Sequence, residues 1–194
     1  MFLGLIKNER FIPSLYVNTI FDIDYTKLYE KGIRLILTDL DNTMISYKEA
    51  KPNVRLLEYI QKRKEEGFEV IIVSNNSHKK RVSSFAREMD IDYVNFALKP
   101  LKCGYKKAMR KASKKYKNSE IMAIGDQLMT DIFAANRCGF YSVLVKACDR
   151  KTEIFTTRFN RKLEKHVLNK LKKKNYQLYE LTLKEYEEMN YGKN

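Results

Sequence analysis

The sequence predicts an α/β fold: a five-stranded, mainly parallel sheet with helices on both faces and a helical C-terminal extension. Two observations carry this reading. Five short apolar runs, at residues 33–38, 69–73, 93–97, 120–124 and 140–145, have the composition of buried strands. Between them, apolar residues recur at helical spacing. Strands and helices in alternation imply right-handed crossovers and a parallel sheet covered on both sides.

The elements follow in order. Asp24 is placed to cap a short helix that ends at Gly32. Leu35, Ile36 and Leu37 are consecutive, as in a strand buried on both faces. Asn53 can cap a helix carrying Val54, Leu57 and Ile60 on one face, and Gly67 follows its end. Val82, Phe85 and Met89 give the same spacing after the second strand. Tyr105, Ala108, Ala112 and Tyr116 mark a third helix, with Lys106, Lys107, Arg110, Lys111, Lys114 and Lys115 on its other face. A fourth begins near Thr130 and ends before Gly139. Residues 152–175 place Phe155, Phe159, Leu163, Val167 and Leu171 four apart among Arg158, Arg161, Lys162, Lys165 and Lys170, a basic amphipathic helix. Thr182 and Glu185 read as a capping box opening a terminal helix. The whole is expected to be one domain, 1–194, with an N-terminal extension (1–32), a core (33–148) and a basic helical extension (149–194).

Composition narrows the function. A chain of 194 residues can bury a core without staples. Cys103, Cys138 and Cys148 have no Cys-x-x-Cys spacing, which argues against a disulfide framework or a zinc site and for a reducing compartment. No stretch reaches the apolar length of a membrane span, and the short apolar start at residues 1–7 is followed by Glu9 and Arg10. A cytoplasmic protein, peripheral at the inner membrane face, is expected. The net charge of +14, from 38 basic and 24 acidic residues, favours anionic partners.

The chemistry sits at strand ends. Asp39 and Asp41 close the first apolar run, with Asn42 and Thr43 following. Asp22, Asp24 and Thr26 fit the same pattern, and Asp90 and Asp92 repeat its first half, but neither set terminates a convincing buried strand. Ser74 and Asn75 end the second run, Lys99 and Pro100 follow the third, and Gly125 and Asp126 end the fourth with Thr130 and Asp131 close behind. Open α/β sheets put their ligands outside the carboxyl ends of the strands. An aspartate there can attack phosphorus covalently, a second can move the proton, and fixed donors can hold the phosphoryl oxygens.

With these four segments in order, the chain resembles the haloacid dehalogenase-like (HAD) phosphohydrolase superfamily over residues 33–145. Asp39-Leu40-Asp41-Asn42-Thr43 is similar to its first motif, Ser74 to its second, Lys99 to its third, and the segment from Gly125 to Asp131 to its fourth. The wording of the first and fourth motifs and of Asn136 to Phe140 is most similar to the YqeG branch, of HAD IIIA type. Phe21-Asp22-Ile23 and the segment from Thr157 to Arg161 share that likeness. The branch includes phosphatidylglycerophosphate phosphatases.

The resemblance implies a Rossmann-like three-layer core. It further implies Asp39 as nucleophile, Asp41 as proton donor and then base, and Ser74 and Lys99 on the phosphoryl group, with Asn42, Thr43 and Asn75 beside it. It implies Mg²⁺ on Asp39, Asp41 and Asp126, with Thr130 and Asp131 in support. Many members carry a cap domain between motifs. Here 35 positions separate Asp39 from Ser74 and 25 separate Ser74 from Lys99, which a helix and a strand nearly fill. No large cap is expected, so the crevice should be open to a phosphate presented by a large partner or a surface. The favoured substrate is the anionic lipid phosphatidylglycerophosphate. The basic helix at 152–175 and the apolar segment 1–17 are suited both to lie against a membrane and to pack on the sheet, two compatible readings that the sequence leaves open. The alternatives are a capless phosphatase of nucleic-acid ends or phosphoproteins, and a non-catalytic basic module for RNA or ribonucleoprotein. The sequence leaves the oligomeric state open.

Overall fold

A computed structural model describes residues 8–152 and 155–192. The strands are β1 (Leu15–Val17), β2 (Leu35–Thr38), β3 (Glu69–Val73), β4 (Asp92–Val94), β5 (Ile121–Gly125) and β6 (Tyr141–Val145). The helices are α1 (Tyr25–Glu30), α2 (Val54–Glu65), α3 (Lys79–Glu88), α4 (Cys103–Lys111), α5 (Phe133–Cys138), α6 (Phe155–Lys174), α7 (Tyr176–Thr182) and α8 (Lys184–Tyr191). All strand pairs are parallel, in the order β1-β6-β5-β2-β3-β4. The chain runs outward from β2 through β3 to β4, then returns to β5 on the other side of β2. The topological switch point therefore lies between β2 and β5, where such sheets bind ligands.

Alternation along the strands sorts the core. Ile36, Val70, Ile72, Met122 and Ile124 pack on one face against Leu56 and Ile60 of α2 and Val82 and Phe85 of α3. Leu35, Leu37, Ile71, Val73 and Ala123 pack on the other against Tyr105 and Ala108 of α4 and Ala134 and Ala135 of α5. This is the three-layer α/β arrangement that the resemblance implied. Only α2 and β3 lie between Asp39 and Ser74, and only α3 and β4 between Ser74 and Lys99, so no cap domain is inserted.

Several details differ from the sequence reading. The sheet has six strands. The additional one, β1, is three half-buried residues paired with β6, too short to give an alternation signal. The run expected at 93–97 stays extended only to Val94, because Phe96 and Leu98 take positive φ angles of 48° and 56°. The third helix stops at Lys111 rather than reaching Tyr116. The fourth opens with a wide π-type turn, Leu128–Ile132, before α5, and Gly139 at φ 73° ends it. The capping box does not form: Thr182 closes α7, donating to the Leu178 carbonyl at 2.7 Å, and α8 begins without a side-chain cap. Asp24 and Asn53 cap their helices as expected, accepting from the backbone N–H of Lys27 at 3.0 Å and Leu56 at 2.9 Å.

The C-terminal helices pack on the β6 side of the core. Val167, Leu168 and Leu171 of α6 are buried with Phe11, Leu128, Ile132, Phe133, Leu144, Tyr179, Leu183 and Tyr186. Each such aliphatic side chain contributes about 1.5–3 kcal/mol on burial. That part of the amphipathic stripe is thus covered by protein, while Phe159 stays 55% exposed. Phe11 stacks on Phe133 with ring centroids 4.8 Å apart, so this end of the apolar N-terminal segment joins the core. The rest of the anchor expected there, residues 1–7, and the side chains of Phe155 and Arg158 lie outside the described residues. No described helix is long and apolar enough to cross a membrane.

Candidate active site

The register of β2 with both neighbours brings the polar strand ends together. Thr38 pairs with Ile72 of β3 and with Ile124 of β5, so Asp39, Ser74 and Asp126 all emerge at one sheet edge. The Asp39 backbone N–H donates to the Ile124 carbonyl at 2.9 Å, fixing the start of the loop that follows. Asn42, at φ 65°, turns that loop back, with its N–H on the Ile45 carbonyl at 2.7 Å. Its side-chain oxygen accepts from Asp149 N–H at 3.3 Å, tying the loop to the segment after β6.

Lys99 lies at the centre of the charged cluster. Its ammonium is 2.9 Å from Asp39 Oδ1 and 2.7 Å from Asp131 Oδ1, and all three side chains are buried. The Asn75 side chain clamps the Lys99 backbone at two points, accepting from its N–H at 2.7 Å and donating to its carbonyl at 3.0 Å. Asp131 accepts from Gln127 N–H and from the Thr130 hydroxyl, each at 3.2 Å. Gly125 makes room for that carboxylate: a Cβ there would fall 2.2 Å from Asp131 Cγ. Burial pushes Asp39 well above the usual carboxylate range, Lys99 opposes this, and Asp131 and Asp126 reinforce it. Burial works against the charge on Lys99, but Asp131 and Asp39 outweigh it and hold the ammonium above the usual lysine range.

Asp41 is held from two sides. Arg81 of α3 contacts Oδ1 through Nε at 2.9 Å and Nη2 at 2.8 Å, and Asn76 donates to Oδ2 at 2.8 Å. The same guanidinium reaches the carbonyls of Glu49 and Ser46 at 2.5 and 3.3 Å, so it also secures the loop after Asp41. The Ser74 hydroxyl accepts from Asn76 N–H at 3.1 Å. Asp126 is 0% exposed. Its Oδ1 accepts from the Thr43 hydroxyl at 3.4 Å, and its Oδ2 pairs with Arg161 of α6.

A cleft of about 760 Å³ opens over this edge. Asp39, Asp41, Asn42, Ser74, Asn75, Lys99, Thr130 and Asp131 line it; Thr43 and Asp126 are buried and do not. All ten sequence-nominated residues therefore lie in the cleft wall or are buried near it. Arg81, Asn76 and Arg161 are additions. Arg81 and Arg161 look like ordinary basic positions in sequence. One signal marked Arg161: it shares a helical face with Glu164, Leu168 and Leu171 at 3- and 4-residue steps, which places charge on a buried stripe.

The donor set fits a hard divalent cation. Asp39 and Asp126 offer carboxylate oxygens, and the Asp41 carbonyl takes no hydrogen bond among the described residues. Three buried carboxylates, those of Asp39, Asp126 and Asp131, gather here. Among the described residues no three His, Cys, Asp or Glu side chains converge as a complete metal cage. An oxygen-only donor set of this size fits Mg²⁺, which usually takes one or two carboxylates and leaves other positions to water and phosphate.

The profile of the family described as mitochondrial PGP phosphatase matches residues 2–148. The chain belongs to this family. It is thus a phosphatase of the HAD superfamily, as its motif order implied. The PGP phosphatase family likeness extends to the probable phosphatase YqeG of Bacillus subtilis, 37% identical over 166 residues, covering 86% of this chain and 94% of that protein. Phosphatidylglycerophosphate phosphatase 1 (chloroplastic/mitochondrial) of Arabidopsis thaliana is 26% identical over 178 residues, covering 86% of this chain and 50% of that one. Among solved structures, the cobalt-bound deoxy-D-mannose-octulosonate 8-phosphate phosphatase (YrbI) of Haemophilus influenzae has a TM-score of 0.48 at 14% identity, covering 74% of this chain and 90% of that one.

Proposed function

We propose that this phosphatase hydrolyses the phosphomonoester of an anionic phospholipid, phosphatidylglycerophosphate, through an aspartyl-phosphate on Asp39. The supporting observation is the form of the cleft: a charged floor under an uncapped mouth with apolar sides. Leu98 and Leu101 line one part of it and are 41% and 54% exposed; Met129 and Leu163 line another. A buried phosphate site beneath exposed aliphatic side chains suits a headgroup presented from a bilayer. The family profile and the named activity of the Arabidopsis relative support the same substrate.

In this reading the Asp39 carboxylate attacks phosphorus, forming the Asp39–phosphoryl bond as the bond to the glycerol oxygen breaks. Asp41 gives its proton to the departing oxygen, and then takes one from the water that attacks the phosphoryl-aspartate. Inorganic phosphate leaves, and Asp39 is regenerated. Lys99 and Ser74 bind phosphoryl oxygens and stabilise charge as the bond order changes. Asn75 and Asp131 keep the Lys99 ammonium where that demands, and Thr130 steadies Asp131. Arg81 and Asn76 fix Asp41 on the leaving-group side. Asn42 and Thr43 hold the loop that joins the two aspartates. Mg²⁺, held by Asp39, the Asp41 carbonyl and Asp126, would supply the positive charge the site lacks when an anionic substrate enters.

The test is a Mg²⁺-dependent panel of phosphatidylglycerophosphate vesicles, soluble phosphomonoesters, 5′-phosphorylated oligonucleotides and phosphopeptides. The lipid is expected to be hydrolysed with the highest kcat/KM, and EDTA to stop the reaction. Rapid hydrolysis of soluble esters with none of the lipid would contradict the lipid assignment. Preference for the oligonucleotide, with steep salt dependence, would move the substrate to nucleic-acid ends.

A further inference from the structure

Away from the cleft, a buried polar cluster joins Asp126 to the C-terminal helices. Arg161 of α6 is 4% exposed, and Glu164 and Tyr186 are fully buried. The guanidinium grips Asp126 twice: Nη2 pairs with the carboxylate Oδ2, and Nη1 donates to the backbone carbonyl at 2.7 Å. Arg161 is held in turn. Its Nη1 donates to the Tyr186 hydroxyl at 3.0 Å and lies 3.4 Å from Glu164 Oε1. Glu164 accepts from the Tyr186 hydroxyl, from Tyr191 at 2.7 Å and from Leu128 N–H at 3.1 Å.

Packing alone does not explain this cluster. Val167, Leu168 and Leu171 already attach α6 to the core, and apolar residues often replace a buried ion pair without loss of stability. What the pair adds is direction. A guanidinium is a rigid planar fork, and here it spans the side chain and main chain of one residue. We infer that Arg161 is a positioning residue for the metal site. It fixes the rotation of the Asp126 carboxylate through Oδ2, so that Oδ1, on the Thr43 side, is the oxygen that serves the divalent cation. The helical extension, outside the family match at 2–148, thereby completes the site. This rests on the proposed metal role of Asp126. Partners of this kind, one shell out from the ion, typically govern metal affinity by 10–100-fold.

Mn²⁺ binding to the full chain, followed by the electron paramagnetic resonance of the free ion, tests this without reference to any substrate. Arg161→Lys keeps the charge but cannot reproduce the fork, and is expected to weaken Mn²⁺ binding about 10–100-fold. Arg161→Met/Glu164→Leu removes the fork together with the carboxylate that holds it. Because it leaves the buried Asp126 without its counter-ion, it is expected to be less stable than wild type, and its folded form to show a similar loss. Asp126→Asn should abolish binding. Unchanged or tighter Mn²⁺ binding in the folded double variant, with binding lost in Asp126→Asn, would overturn the role of Arg161 and leave the metal reading standing. Wild-type binding in Asp126→Asn would overturn the metal reading and the role of Arg161 together.

Discussion

At Gly125 the absence of a side chain is a requirement of the site. The Asp131 carboxylate lies where a Cβ would be, and that carboxylate is one of two that hold Lys99. Gly125→Ala must push Asp131 away and loosen the ammonium. We expect kcat to fall on the order of 100-fold, as for other small displacements of a catalytic group. The circular dichroism spectrum should stay native; a folded Gly125→Ala enzyme with full activity would show that the Asp131–Lys99 contact is dispensable. The aspartates, Ser74 and Lys99 were legible in sequence because each ends an apolar run in a fixed order. Arg81 was not, since its link to Asp41 spans 40 positions and exists only after folding. Arg161 stood among the many lysines and arginines of one basic helix, set apart only by its helical spacing to Glu164, Leu168 and Leu171 and by the family likeness of the segment from Thr157.

At the scale of elements, the segment between β4 and α4 departs most from the sequence reading. A strand was expected to continue to residue 97, yet Phe96 and Leu98 adopt left-handed backbone conformations. Such conformations cost a non-glycine residue about 1–2 kcal/mol, and Asn tolerates them better. Nothing in residue composition announces them, because leucine and phenylalanine read as strand formers. Both side chains are exposed, so burial does not offset the strain. Under the proposed lipid activity, Leu98 would belong to the docking surface at the cleft mouth. Leu98→Asn is expected to raise stability to urea by up to about 1 kcal/mol. Its hydrolysis of lipid vesicles should fall relative to that of a soluble phosphomonoester. A variant that gains stability and keeps the wild-type ratio of the two activities would remove Leu98 from the docking surface. Helix α3 was legible because Val82, Phe85 and Met89 are all buried as their spacing implied. In α2 the expected face was off, since Val54 is exposed and Leu56 and Tyr59 are buried with Ile60, and β1 was too short to read.

Across the whole molecule, three features combine. The switch point between β2 and β5 collects the motif residues, the short inter-motif segments leave no cap over them, and the C-terminal helices fold back to reach Asp126. The sequence left that extension open between a membrane-facing surface and packing on the core. A large part of its apolar face packs on the core, and its buried arginine reaches Asp126. The charge of +14 remains available to attract an anionic surface or substrate. The central claim is that Asp39 carries the phosphoryl group during turnover, and acid quenching during the steady state tests it most directly. Peptide mass spectrometry of the quenched enzyme should find phosphate on Asp39, labile to hydroxylamine, with neither label nor activity in Asp39→Asn. Turnover by Asp39→Asn at the wild-type rate, with no phosphorylated Asp39 in the wild type, would contradict the account.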